Sequence, residues 1–415
     1  MKIRIAGAGV GGLTAALSLH AAGFEDVQVL EGAREIREIG VGINLPPHAV
    51  RELVELGLAE ELAAIGLPTS ALSYYDRAGQ LIWAEPRGLG AGYRWPQYSV
   101  HRGRLQHILL EAVRARLGPD AVHTGKRVVR VEQSNDREVE VVVLDVATDL
   151  IEHLSADLLI GADGIRSAVR TSLLGAEVPL ASNGWVMYRG AARSAPFLGG
   201  STMVIAGDEA QRVVVYPLDK DTLNWLMVRP MPEGVATGDL GSWNRPVDVA
   251  AIAEQVAGWK FDWLDIPELI RSTETVYEYP MADIDPLPQW SFGRATLLGD
   301  AAHPMYPFGS NGASQAILDA RVLAYELSQD ANVVDALRRY ENARRETVAK
   351  VQLANRRQAG DVMSRVAALA RANSHDAAME ELKSVEQAYK QMAGFDVETL
   401  NQRASWSVGE RPEPR

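Results

Sequence analysis

The chain has 415 residues, a formal net charge of −12 and no cysteine, which predicts two packed domains and excludes disulfides, thiolate metal sites, a catalytic thiol and a redox cysteine pair. Hydrophobic residues make up 47% and charged residues 23%, the balance of an ordinary globular protein, and no Lys/Arg run offers a surface to a nucleic-acid backbone. The opening Met1 to Ala6 is too short and too soon broken by Gly7 for a signal peptide, and ~18 consecutive apolar residues occur nowhere, so a cytoplasmic protein without a membrane span is expected.

In chain order, Ile3, Ile5 and Ala6 make a short strand that ends in Gly7-Ala8-Gly9-Val10-Gly11-Gly12. A helical pattern through Leu13, Ala16, Leu17 and His20 runs to Gly23, and a second strand at 27–30 leads to Glu31. A helix is predicted over 47–56, strands over 71–84 and 94–100, and an amphipathic helix over 102–117 with Leu105, Ile108, Leu109, Val113 and Leu117 inward. Val128–Val131 and Val139–Val146 read as a hairpin turning at Ser134-Asn135-Asp136, and Leu158-Leu159-Ile160 as a buried strand entering Gly161. From 184 to 283 strand runs dominate (185–192, 202–206, 212–218, 223–229 and 275–281), with one helix at 247–258. Ala295 to Leu298 is again a buried strand, residues 311–389 are helical and charged, and Gly409 to Arg415 is a tail expected to fray.

Gly7, Gly9 and Gly12 spell GxGxxG between a strand and a helix. The first glycine permits the turn, the second admits a pyrophosphate to the backbone, and the third packs helix on strand, while the free N–H groups of the helix face the phosphates. Glu31, nineteen residues past Gly12, stands where a carboxylate accepts the hydroxyls of an ADP ribose. These residues specify a dinucleotide without distinguishing FAD from NAD.

Two further segments narrow the choice: Asp163-Gly164-Ile165-Arg166-Ser167-Ala168-Val169-Arg170 after one buried strand, and Gly299-Asp300-Ala301-Ala302-His303-Pro304 after another. In order and spacing these three motifs resemble the group A flavoprotein monooxygenases, the p-hydroxybenzoate hydroxylase-like family, over residues 1 to about 350. Gly40 to Asn44, Tyr98 to Gly103, Met305-Tyr306-Pro307 and Asn311 to Asp319 are most similar to its phenazine-modifying members. The resemblance implies an α/β fold: a discontinuous Rossmann-like FAD-binding domain (1–70, 98–183 and 284–345), a β-sheet substrate domain (71–97 and 184–283) and a helical C-terminus (346–415). It also implies hydroxylation of an aromatic or polycyclic, phenazine-like molecule by NAD(P)H and dioxygen through a C4a-hydroperoxyflavin, alone or with decarboxylation.

The cofactor residues follow from that resemblance. Asp300 is expected to bind the ribityl chain, and Arg102 the pyrophosphate or ribityl region, with a solvated helix-start arginine as its alternative. Asp163 serves either the FAD pyrophosphate or a pyridine nucleotide. Gly42, Pro307, Gly309, Asn311, Gly312 and Ala313 are expected to face the flavin, the last five on a loop whose following helix presents its N-terminus to the negative charge of reduced flavin. Ser310-Asn311-Gly312 departs from the family's PxGxGxN order, and His303 is read as shaping its turn. Met305, Tyr306 and Phe308 are the first choices for the substrate pocket. Tyr188, Met203, Tyr216 and Trp225 join them as strand residues for which core packing is the alternative. No catalytic side chain and no metal site is assigned, because the flavin is the reactive group. With a single GxGxxG, NADH or NADPH binds transiently, and the chain is a monomer or a homodimer. The rivals are a dehydrogenase or reductase of the same fold and a flavin- or ligand-binding protein without turnover.

Overall fold

The computed structural model describes residues 1–38, 41–133, 137–231, 245–357, 369 and 375–408. The turn expected at Ser134-Asn135-Asp136, Gly40 and the tail Gly409–Arg415 lie outside these residues.

The short apolar runs of the N-terminal part gather in one six-stranded sheet. Its order is Ser291–Phe292, Ala295–Leu297, Leu158–Gly161, Ile3–Ala6, Val27–Glu31, Val122–Thr124. All pairs are parallel except the outermost Ser291–Phe292 edge. Parallel strands are covered on both faces, which is why Leu158-Leu159-Ile160 is apolar without alternation. The helix Val10–Ala21 is buried along nearly all its length, against the helices Arg102–Leu117 and Gly312–Gln329. Because the strands run the same way, Gly7, Glu31, Ala162-Asp163 and Gly299-Asp300 all emerge at one edge of the sheet. Open parallel sheets bind ligands at that edge.

A second sheet of eight strands is ordered Arg245–Val247, Val276–Asp283, Ala181–Arg193, Thr222–Pro230, Arg212–Pro217, Thr202–Gly207, Ala71–Tyr75, Leu81–Pro86. Only the Ala71–Tyr75 pairing to Thr202–Gly207 is parallel. The single strand expected over 71–84 is two, folded at Asp76, whose carboxylate accepts the Ala78 and Gln80 N–H groups. The run at 94–100 becomes strand only at Tyr98–His101. The helix expected over 247–258 is confined to Val249–Glu254, capped by Asp248, and a second short helix follows at Ile266–Arg271. Both helices pack beneath one face of this sheet around Trp225, Trp259 and Ile270. The hairpin of Lys126–Glu132 and Val139–Asp145 gains a third strand, Leu150–Ala156.

Beyond the long helix Val333–Arg357 come His375–Met392 and Val397–Gln402. The C-terminal segment is pinned to the helix Pro47–Glu55, where Arg51 donates to the carbonyls of Leu400 (3.2 Å) and Arg403 (2.9 Å). The buried Glu52 accepts from Arg321 at 3.2 Å and from Arg403. Burial pushes the Glu52 carboxyl up, and the surrounding arginines oppose that shift. No helix among the described residues is long and apolar enough to cross a membrane.

Candidate active site

The glycine loop is packed to its backbone limit on one side and open on the other. Gly7 has φ +101°, and a Cβ there would lie 2.4 Å from the Ala162 carbonyl oxygen. A Cβ on Gly12 would lie 2.0 Å from the Gly7 oxygen. At Gly9 a Cβ would meet nothing within 4 Å, and Gly9, Val10 and Gly11 line a cavity. The helix starting at Val10 has no side-chain cap, so its first N–H groups are available to an anion. Glu31 lies outside the cavity lining. Its carboxylate accepts from Ala8 N (2.8 Å) and Ala33 N (2.7 Å) and braces the loop.

The second and third motif loops are tied together. Asp163 accepts from the Ser167 hydroxyl and from Val169 N (3.1 Å), and Ser167 caps the next helix by accepting from Arg170 N at 2.8 Å. Burial raises the Asp163 carboxyl. Its side chain is thus engaged in the turn, while its neighbours Ala162 and Gly164 line the cavity. Arg170 reaches across to the Ala301 carbonyl at 2.9 Å.

Asp300 and Arg102 both line the cavity. The surrounding walls push the Asp300 carboxyl up, against the opposing pull of His303, Arg102 and Arg170. His303 turns away from the cavity into the protein, with Nε2 2.5 Å from Asp319. Asp319 also accepts from Gly299 N (3.0 Å) and Arg344 (2.8 Å). Burial disfavours its charge, yet these partners hold its pKa down at about 2. Pro307, Gly309, Asn311, Gly312 and Ala313 line the same cavity, again at an uncapped helix start. Gly42 lines it too, with its N–H bonded to Asn224 (2.6 Å) and its carbonyl to Arg189 (3.0 Å).

This cavity, of about 520 Å³, extends from the strand-end loops to the inner face of the eight-stranded sheet. Strand alternation decides which residues reach it. Met187 and Arg189, Leu226 and Val228, Arg212, Val214 and Tyr216, and Met203 and Ile205 face the cavity. Their neighbours Tyr188, Trp225, Met227, Val213, Val215 and Val204 belong to the core on the opposite face. Met203, Tyr216, Met305 and Phe308 therefore stand in the cavity wall as expected, whereas Tyr188 and Trp225 do not. Trp225 is fully buried and donates to the Thr273 hydroxyl at 2.8 Å. Tyr306 also misses the cavity: it packs among Met187, Val228 and Met281 and donates to the Ala181 carbonyl at 3.3 Å.

Several wall residues escaped the sequence reading. Arg189 stands with its guanidinium 5.4 Å from the Tyr279 ring, and among the described residues no acidic side chain forms an ion pair with it. Arg212 lies 5.1 Å from the Trp185 ring and 5.9 Å from that of Phe308, so the sheet and the 307–313 loop meet there. Burial drives the Arg212 pKa down to about 10. Leu382, Glu386, Tyr389 and Phe395 bring the C-terminal helical region into the wall. A charge in phase with Met187 on an apolar strand was the available signal for Arg189; nothing local marks Tyr389.

The open glycine loop and the two uncapped helix starts, which pack side by side and line one cavity, fit the phosphate and flavin parts of an FAD. A family model described as FAD binding domain matches residues 1–354. The chain is 46% identical to a phenazine 1,6-dicarboxylic acid hydroxylase, PhzS, of Lysobacter antibioticus, over 85% of this chain and 89% of that relative. It is 35% identical to 3-hydroxybenzoate 6-hydroxylase 1 of Aquipseudomonas alcaligenes, over 86% of this chain and 88% of that one. The crystal structure of Klebsiella pneumoniae HpxO complexed with FAD and uric acid superposes with a TM-score of 0.78 at 27% identity, covering 95% of this chain and 96% of that one. The chain belongs to this FAD-binding-domain family and is a flavin-dependent monooxygenase of the aromatic-hydroxylase type.

Proposed function

We propose that the protein hydroxylates a planar polycyclic aromatic carboxylic acid, phenazine-like in size, using NADH or NADPH and dioxygen. The observation that carries this reading is the wall itself: an apolar sheet face interrupted by two guanidinium groups, Arg189 and Arg212. A buried cation without an acidic partner is costly, and a ligand carboxylate at Arg189 offsets that cost. The 46% identity to a hydroxylase of a phenazine dicarboxylic acid supports the same substrate class.

In this reading the ADP half of FAD follows Gly7, Gly9 and Gly12, with Glu31 at the ribose. Asp300 accepts from the ribityl hydroxyls, Arg102 meets the pyrophosphate or ribityl region, and Asp163 holds its turn in shape for either nucleotide. Gly42 and the loop from Pro307 through Gly309 to Asn311, Gly312 and Ala313 face the flavin ring. When bound, FAD supplies the redox chemistry, taking electrons from NAD(P)H and passing them to dioxygen. The protein's own residues exclude water and orient the substrate ring: Met203, Tyr216, Met305 and Phe308 form the apolar wall and Arg189 fixes the carboxylate. No side chain is assigned a proton in the hydroxylation.

We read the chain further as an FAD-binding part (1–70, 98–183 and 284–345), a substrate part (71–97 and 184–283) and C-terminal helices, acting in the cytoplasm as a monomer or homodimer. The test is the FAD-loaded enzyme with ¹⁸O-labelled dioxygen and a panel of phenazine mono- and dicarboxylic acids, 3-hydroxybenzoate and urate. The reading expects NAD(P)H consumption accelerated by a phenazine acid, with one labelled oxygen in the product. Oxidation of NAD(P)H without label in any panel member would favour a reductase instead.

A further inference from the structure

We infer that Tyr389, from a helix beyond the matched family region, is a positioning residue that sets the loop 307–313 against the flavin. The inference rests on the proposal that this loop faces the cofactor ring.

Tyr389 is 4% exposed and holds the loop at three points. Its ring fills the space beside Gly309, where a Cβ would lie 2.6 Å from the Tyr389 ring edge and hydroxyl. Its hydroxyl accepts from Asn311 Nδ2 at 2.7 Å and donates to Asn355 Oδ1 at 2.9 Å. Asn355 in turn donates to the Tyr306 carbonyl at 3.1 Å, just before the loop begins. One phenol thus fixes the loop's entry, its left-handed residue Gly309 (φ +68°) and its exit.

The network continues behind Asn311. Since the Asn311 amide nitrogen is the donor to Tyr389, its oxygen is the acceptor for His48 Nε2 (3.1 Å) and Gln315 Nε2 (3.3 Å). His48 therefore carries its proton on Nε2. Burial lowers its pKa to about 3, so the ring is neutral and stays a donor over the working pH range. Gln315 Oε1 accepts from Arg344 at 2.6 Å, Arg344 donates to Asp319 at 2.8 Å, and Asp319 accepts from Gly299 N at 3.0 Å. A continuous buried chain of hydrogen bonds thus joins the strand end that carries Asp300 to Tyr389. Such a network favours one arrangement because each member bonds at least one other.

Tyr389 also lines the cavity, next to Glu386 and Phe395. The same side chain touches the space for substrate and the loop proposed for the flavin. A role limited to packing the C-terminal helix would need the ring but not the two hydroxyl bonds. Tyr389→Phe separates these roles, since it keeps the ring and removes the bridge.

The test is FAD titration of apoprotein by flavin fluorescence, with the visible spectrum and midpoint potential of the holoprotein, for wild type, Tyr389→Phe and Asn355→Leu. Asn355 does not line the cavity, so it probes the bridge from outside. In folded Tyr389→Phe, FAD affinity should fall about fivefold, the scale of one buried neutral hydrogen bond. The flavin spectrum and potential should shift, and Asn355→Leu should shift them in the same direction. Variants that lose thermal stability yet keep the wild-type affinity, spectrum and potential would reduce Tyr389 to a packing residue and overturn the inference. Wild-type apoprotein that takes up no FAD would instead overturn the cofactor reading on which it stands.

Discussion

The strand-end loops of the parallel sheet and the inner face of the antiparallel sheet build the two halves of one cavity by opposite means. At the strand ends the backbone forms the cavity wall. Gly7 and Gly12 are packed against carbonyl oxygens so that Gly9 and the start of a helix can face a ligand, and the nearby carboxylates Glu31 and Asp163 brace those turns. On the sheet face side chains form it, and the backbone only sets which ones alternate inward. The first arrangement tolerates almost no change of residue; the second can be re-lined position by position without disturbing the fold. A common cofactor with divergent substrates is what that division of labour produces.

The largest effect that can break this contrast is at Gly12. Gly12→Ala drives a Cβ to within 2.0 Å of a backbone oxygen and is expected to cost about 3 kcal/mol, the upper range for overpacking. Gly9→Ala has room and should leave the apoprotein's melting temperature unchanged while weakening FAD binding. Differential scanning calorimetry with FAD titration reads both; equal destabilisation by the two variants would erase the distinction between packed and open glycines.

Next is Asp319, which holds Gly299 and neutralises the buried Arg344. Asp319→Asn should cost about 3 kcal/mol in urea unfolding, because a buried guanidinium is left without its counter-charge. The sign of the pH dependence follows from its depressed pKa, about 2 against the usual 3.8. The stability it contributes is complete above pH 3.8 and is lost as pH falls through about 2. The wild type should therefore lose more stability than Asp319→Asn between those values, and parallel acid curves would contradict the assignment.

On the sheet face the effects should appear in KM. Arg189→Met is expected to raise KM for an aromatic acid about thirtyfold, the equivalent of ~2 kcal/mol for a charge-assisted bond, and to affect the corresponding amide little. The adjacent pair Trp225 and Leu226 gives the smallest and sharpest comparison. Trp225→Phe removes the bond to Thr273 and should cost about 1 kcal/mol of stability with KM unchanged, while Leu226→Ala should move KM. A KM change from Trp225→Phe would mean that the faces are misassigned.

The same division explains what could be read from the sequence. Where backbone geometry dictates residue type, as at Gly7, Gly12 and the Gly299-Asp300 turn, the residues announce the structure. The strand Thr222–Pro230 is apolar toward the cavity at Leu226 and Val228 and apolar toward the core at Trp225 and Met227. Only Thr222 and Asn224, in phase with Leu226, mark the cavity side, and the apolar run Trp225 to Val228 by itself does not tell the two buried faces apart. Tyr306 faces the core rather than the cavity for a related reason, since adjacency to the loop does not fix its rotamer. Tyr389 is 78 residues from Asn311, and only tertiary packing joins them.

The measurement that bears most directly on the account is a crystal structure of the FAD holoenzyme soaked with a phenazine dicarboxylic acid. The expected result has the pyrophosphate at Gly9 and the helix start, the flavin ring against residues 307–313, and the substrate between that loop and Met203, Tyr216 and Leu226 with a carboxylate on Arg189. A flavin ring remote from that loop, or an aromatic acid bound with Arg189 still facing only Gly42 and Tyr279, would contradict it.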